Sequence, residues 1–237
     1  MKILVIIPAF NESSSIEQVI HSLDDIRAEG LDILVVNDCS TDDTAEIAAL
    51  TGKACVISLS SNLGIGGAVQ TGFMYAKERD YDCAIQFDGD GQHLAREVTK
   101  LISPIEKADS DVVIGSRFSK PHNGFRTSPS RRFGIRVFQL LIKLITGKII
   151  ADSTSGFRAY NKTAIALLAD NYPSDFPEPE AIIILGRNGI RIKEVFTEMK
   201  EREYGFSSIR GIKSIYYMIK VSFSMVISGM RPKITTP

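Results

Sequence analysis

The sequence predicts an α/β fold: a mostly parallel sheet flanked by helices, followed by amphipathic helices at the C-terminal end. Two observations predict it. Short, continuous apolar runs alternate with segments of helical period, the pattern of parallel strands covered on both faces. Each of the first four runs also ends in a polar or glycine-rich loop, and ligands of such sheets collect at the carboxyl ends of the strands.

Residues 3–7 form the first strand; with Met1 and Lys2 the run is far too short for a signal peptide, and Pro8 cuts it. A helix over 13–27 places Ile16, Val19, Ile20 and Leu23 on one face. Residues 31–36 are the second strand, and the polar loop 37–43 caps a helix over 44–50. The third strand covers 54–59, and the glycine-rich 62–67 opens a helix that runs to about residue 78. A fourth strand over 83–87, a helix over 96–105 and a fifth strand over 111–115 complete the alternation.

After Ser116 the pattern changes. Residues 117–132 read as a loop carrying Arg117, Lys120, Arg126, Arg131 and Arg132, long enough to be functional. A helix over 133–145 follows, then the polar stretch 152–158, then an acidic, proline-rich segment over 173–180 leading into the apolar 181–185 and a strand-like 190–199. From residue 207, Ile209, Ile212, Tyr216, Ile219, Phe223, Val226 and Met230 recur at spacings of three and four, a helical stripe.

A chain of 237 residues holds one large domain plus a small appendage. Lys and Arg (28) balance Asp and Glu (28), so no global field argues for nucleic acid. With 44% hydrophobic residues and no low-complexity tract, disorder is excluded. Cys39, Cys55 and Cys83 lie far apart without a pairing framework, which places the chain in a reducing cytoplasm. No apolar run approaches the ~20 residues that span a bilayer.

The stretch with the most chemistry is Asp88-Gly89-Asp90-Gly91-Gln92-His93. On an extended strand Asp88 and Asp90 point to one side, and carboxylates that close repel unless a cation sits beside them. Two carboxylates and the Gln92 amide oxygen are hard ligands suited to Mg²⁺ or Mn²⁺, and Gly89 and Gly91 leave room for a ligand. Taken alone, the motif reads as a Gly/Asp turn after a strand, a feature common in α/β proteins, and the rest of the chain decides. Gly64–Ala68 matches the dinucleotide fingerprint poorly, since it follows the third strand and Val69 stands where a small residue should. There is no P-loop and no Gly-x-Ser-x-Gly elbow, and His21, His93 and His122 have no evident nucleophile partner. His21 reads as a surface residue; His93, beside the carboxylates, reads equally as structural or as a neighbour of substrate.

Taken in order, IIPAFNE at 6–12, VVNDCSTD at 35–42, DGDGQH at 88–93, GSRF at 115–118 and DSTSGFR at 152–158 resemble the family 2 glycosyltransferases of GT-A fold. Within them the chain is most similar to the polyprenyl-phosphate and dolichyl-phosphate sugar transferases. Gly91 stands where that group usually has leucine, and the absence of tryptophan sets aside the processive branch.

The resemblance implies a GT-A, Rossmann-like domain over 1–205 and an amphipathic segment over 206–237 that lies on a membrane or packs on a subunit. It implies a UDP- or GDP-linked sugar donor bound by Pro8, Phe10, Asn11, Glu12, Asp38, Asp88 and Glu178. Asp88, Asp90 and Gln92 would hold Mg²⁺ or Mn²⁺, with Asp90 and Asp152 catalytic. Arg117, Arg131 and Arg202 would capture the phosphate of a polyprenyl, for instance undecaprenyl, acceptor. The implied reaction is an inverting transfer for surface-polysaccharide assembly, at the inner face of the cell membrane, with peripheral attachment through a small membrane protein, a second copy or the lipid itself. Transfer to a saccharide hydroxyl and a non-catalytic nucleotide-sugar-binding role are the competing readings; a nucleotidyltransferase would begin with a glycine-rich loop that 8–12 lacks.

Overall fold

The computed structural model describes residues 1–26, 30–118, 129–200 and 212–234. Its strands are β1 (Ile3–Ala9), β2 (Leu31–Asn37), β3 (Cys55–Ser58), β4 (Cys83–Gln86), β5 (Val112–Ser116), β6 (Arg158–Asn161) and β7 (Ile192–Phe196). They form one sheet in the order β3-β2-β1-β4-β6-β5-β7, parallel except for β6, which runs antiparallel to both β4 and β5. The helices are α1 (Ile16–Asp24), α2 (Thr44–Leu50), α3 (Gly64–Glu78), α4 (Val98–Glu106), α5 (Pro129–Thr146), α6 (Lys162–Asn171), α7 (Pro177–Arg187) and α8 (Ile212–Met230).

Both faces of the central strands β1, β2, β4 and β5 are buried, which is why these strands are largely apolar without alternation, while the edge strands β3 and β7 are partly exposed. In β1, Leu4 and Ile6 pack with Val69 and Phe73 of α3, Leu168 of α6 and Ile182 of α7. Ile3, Val5 and Ile7 turn to the other face, onto Val19 and Ile20 of α1 and Leu101 of α4. A Cβ on Gly72 would stand 2.3 Å from Ile6 Cγ2, so α3 lies closer to β1 than a larger residue allows.

The structure departs from the sequence reading at several points, and α6 covers a stretch to which that reading assigns no element. β6 begins at Arg158, the last residue of the polar stretch 152–158, and continues through residues to which the sequence assigns no element; its register, Cys83↔Asn161 and Val112↔Tyr160, joins segments that no local pattern relates. The second half of the acidic, proline-rich stretch 173–180 is the first turn of α7, with Pro177 pre-set for the helical φ and Glu178 and Glu180 at the positive end of the helix dipole. α5 begins at Pro129 and not at the expected Phe133, so Arg131 falls in a helix. β4 stops at Gln86, so Asp88 and Asp90 stand in the turn beyond the strand, not on alternating strand positions.

α8 packs into the same core: Val221 and Met225 are buried, Ser228 Oγ donates to Glu180 Oε2 (2.7 Å), and Arg187 donates to the carbonyls of Gly229 and Arg231. The expected 205/206 boundary lies outside the described residues. No helix among the described residues is long and apolar enough to cross a membrane.

Candidate active site

The strand order reverses beside β1, where β2 lies on one side and β4 on the other, and the carboxyl ends of β1 and β4 open a crevice at that switch point. A cleft of about 190 Å³ occupies it, lined by Pro8, Ala9, Phe10, Glu12, Asp38, Ile65, Ala68, Asp88, Gly89 and Asp90. Of the residues expected to bind a nucleotide-sugar, the structure therefore brings Pro8, Phe10, Glu12, Asp38 and Asp88 to one wall. Phe10, 46% exposed, stands at the mouth as an open apolar face. Asn11 turns elsewhere: with a left-handed φ of +56°, its Oδ1 accepts from Thr41 N (2.9 Å), so it braces the loop after β2. Ile65 and Ala68, at the start of α3, were not expected in the site; the glycine-rich helix opening was their only sequence signal.

The carboxylates are held by short turns. Asp38 Oδ1 accepts from Leu63 N (2.7 Å), fixing the start of α3 against the end of β2. Asp90 Oδ1 accepts from Gln92 N (3.0 Å), closing the turn that Gly91 shapes with its φ of +76°. Ser15 Oγ donates to Gly89 O (2.8 Å) and Glu12 Oε2 (3.1 Å), tying this turn to the loop after β1. Gln92 follows in the turn, and its carbonyl receives Lys200 N (2.9 Å); it is not on the cleft wall.

His93 is buried behind Asp88, with Nε2 3.0 Å from Asp88 Oδ2. An ionised carboxylate only accepts, so Nε2 is the donor. The imidazole stacks on Phe157 (centroids 4.8 Å apart, planes at 19°) and meets the edge of Phe87 at 5.4 Å. His93 thus orients a cleft carboxylate from a rigid aromatic slot. Gly156 completes the slot, since a Cβ there would sit 3.0 and 3.1 Å from the two Asp88 carboxylate oxygens.

Asp152 is buried and fully engaged. Its Oδ2 accepts from Arg117 N (3.1 Å) and Nε (2.7 Å), and its Oδ1 from Arg117 Nη2 (2.7 Å). Burial works against the Arg117 charge, but Asp152, with Asp88 adding to it, outweighs burial and holds the guanidinium charged. Glu194 of β7, not anticipated from the sequence, accepts from Ala151 N (2.7 Å) and Asp152 N (2.8 Å) and so anchors this segment's backbone. Arg131 lies in the first turn of α5, and Arg202 lies outside the described residues.

Beneath the cleft, Arg158 is completely buried and donates to three carbonyls, Ser155 O (2.7 Å), Ser153 O (2.9 Å) and Glu178 O (2.9 Å). Burial pushes the Glu178 carboxyl up, with Arg158 opposing. A carboxyl raised in the fold contributes stability below its unfolded pKa and loses it as pH rises through the folded value. Glu178→Gln is therefore expected to raise the thermal midpoint at pH 7 and to match the original protein near pH 4; equal differences at both values would refute burial as the cause.

Residues 4–168 match the family described as Glycosyl transferase family 2. The chain is 30% identical, over 95% of its length and 98% of the relative's, to the UDP-N-acetylglucosamine–dolichyl-phosphate N-acetylglucosaminyltransferase of Methanococcus voltae. It is 32% identical to the undecaprenyl-phosphate mannosyltransferase of Micrococcus luteus, covering 89% of this chain and 88% of that one. Among solved structures, glucosyl-3-phosphoglycerate synthase from Mycobacterium tuberculosis superposes with a TM-score of 0.72 at 21% identity, covering 98% of this chain and 81% of that one, a likeness of fold. The same enzyme has been solved with Mn²⁺, uridine diphosphate and phosphoglyceric acid.

Proposed function

The chain belongs to glycosyl transferase family 2, and from that membership we propose that it transfers a sugar from a UDP- or GDP-linked donor to a polyprenyl phosphate, by one inverting displacement assisted by a divalent metal. The relatives named above, which act on dolichyl or undecaprenyl phosphate, support the acceptor class. The observation that carries the reading is the state of Asp152. Both its oxygens are taken by Arg117, so the carboxylate best placed in sequence to act as a base is committed to an ion pair. A hydroxyl acceptor needs such a base; a phosphomonoester, with a second pKa near ~6, is already a nucleophile at pH 7.

The donor set on the cleft wall fits Mg²⁺ or Mn²⁺. Asp88 and Asp90 offer hard oxygens, and the described residues contain no group of three His, Cys, Asp or Glu able to cage an ion. Mg²⁺ and Mn²⁺ commonly keep positions for substrate phosphates; Gln92, expected as a third ligand, does not line the cleft. When bound, such a metal neutralises the charge of the departing nucleoside diphosphate. Phe10 offers a face for the base, and Asp38 and Glu12 offer acceptors for ring or ribose hydrogens. Arg117 meets the acceptor phosphate with the N–H groups that Asp152 does not use, and Arg131 and Arg202 supply further guanidinium forks. An acceptor phosphate oxygen bonds to the anomeric carbon as that carbon's bond to the diphosphate breaks, which inverts the centre. Because the acceptor's tail lies in a bilayer, the reaction takes place at the inner membrane surface.

Incubation with Mn²⁺, undecaprenyl phosphate and a panel of UDP- and GDP-sugars, with mass spectrometry of the lipid fraction, is expected to give a metal-dependent glycolipid. Asp152→Asn, assayed below its unfolding midpoint, is expected to keep that turnover within about tenfold, against the ~100- to 10,000-fold loss typical of a missing general base. Product formed only on sugar hydroxyls and abolished by Asp152→Asn would establish the hydroxyl-acceptor reading instead.

A further inference from the structure

The chain is electrically neutral, yet its charges are distributed unevenly. No acidic residue occurs between Asp111 and Asp152, and none after Glu203; these two stretches hold thirteen of the 28 Lys and Arg and none of the 28 Asp and Glu. They contain α5 and α8, which pack side by side. Among their cations, Arg136, Lys143, Lys220, Arg231 and Lys233 are exposed.

The same two helices carry an exposed apolar surface. Leu140 and Leu144 of α5 are 57% and 72% exposed, and Tyr216, Ile219 and Phe223 of α8 are 60%, 64% and 67% exposed. Between the helices runs an apolar groove of about 460 Å³ whose walls include Val137 and Leu141 on one side and Met218 and Phe223 on the other. At its margin Lys220 Nζ stands 4.9 Å from the centroid of the Tyr216 ring, pairing a cation with an amphipathic aromatic as side chains do at a membrane–water boundary. The face also adjoins the site, because Gln139 of α5 donates to the carbonyl of Ala151 (3.1 Å), the residue before Asp152.

We propose that the paired α5–α8 face is the surface with which the protein docks on an anionic lipid bilayer, its apolar side chains in the interface and its cations on the lipid headgroups. The charge pattern selects this occupant over a second copy. A two-fold interface would set the same two cation-rich helices, which carry no acid of their own, against each other, whereas anionic headgroups complement them; Asp175 is the carboxylate that acts on Lys220 from outside the two stretches. The proposal rests on the lipid-acceptor reading for its purpose, and it is tested without acceptor or donor.

Cosedimentation of the full chain with phosphatidylcholine vesicles containing phosphatidylglycerol is expected to show binding that weakens with salt and is much poorer for pure phosphatidylcholine. Replacing Lys143 or Lys220 by alanine is expected to lower partitioning about fivefold each. Phe223→Glu is expected to abolish binding while the thermal midpoint stays unchanged, since that ring lies outside the core. Binding indifferent to lipid charge would overturn the proposal, as would no binding at all, or a dimer in sedimentation that Phe223→Glu dissociates. Glycolipid synthesis from a short-chain polyprenyl phosphate in detergent reports on the transfer reaction alone, so failure of one reading is distinct from failure of the other.

Discussion

Asp90→Asn is expected to lower kcat for sugar transfer by about a thousandfold, roughly 4 kcal/mol of transition-state stabilisation. The substitution is nearly isosteric, and an asparagine Oδ1 still accepts the Gln92 N–H that closes the turn. Folding should therefore be preserved and only the negative charge lost. That separates this position from Asp88, whose carboxylate is also held by His93 and whose replacement disturbs the aromatic slot as well. Mn²⁺ binding in the presence of a nucleoside diphosphate, followed by electron paramagnetic resonance, should weaken in parallel while the thermal midpoint stays put. Turnover within tenfold of the original would remove Asp90 from the metal site.

Arg158→Met is expected to destabilise the fold by about 4 kcal/mol, because the guanidinium is fully buried and its three carbonyl partners lose a charged donor together. For a domain of this size that lowers the thermal midpoint by roughly 10 °C. Two of the carbonyls, Ser153 and Ser155, belong to the segment that presents Asp152 and Phe157, and the third opens α7. The loss should therefore spread to both the acceptor-side ion pair and the slot behind Asp88. Urea unfolding gives the number; a change below about 1 kcal/mol would mean that water replaces the guanidinium at these carbonyls.

The first half of the chain was legible because its information is local. Ile16, Val19, Ile20 and Leu23 share a helix face whatever they pack against, and the apolar runs at Ile3–Ala9 and Leu31–Asn37 are buried on both faces, so their composition already reads as central strands. The convergence of polar strand ends was legible for the same reason, and five of the residues expected to bind nucleotide-sugar line one cleft. Past Ser116 the information is non-local. β6 exists through pairing with β4 and β5, and the burial of its Arg158 depends on three carbonyls supplied by two other segments of the chain.

Sequence alone determined the fold class, the family and the kind of chemistry, because each depends on residue types at fixed spacings along the chain. Tertiary structure alone decided what the charged groups do. It put Asp152 in a closed ion pair with Arg117, turned Asn11 away from the cleft, placed His93 behind Asp88 and set two acid-free helices side by side with their apolar faces outward. The physical reason is that a charged or polar side chain's role depends on which oppositely charged, polar or aromatic groups lie within a few ångströms of it, and for Asp152 and Asn11 those groups come from segments tens of residues away.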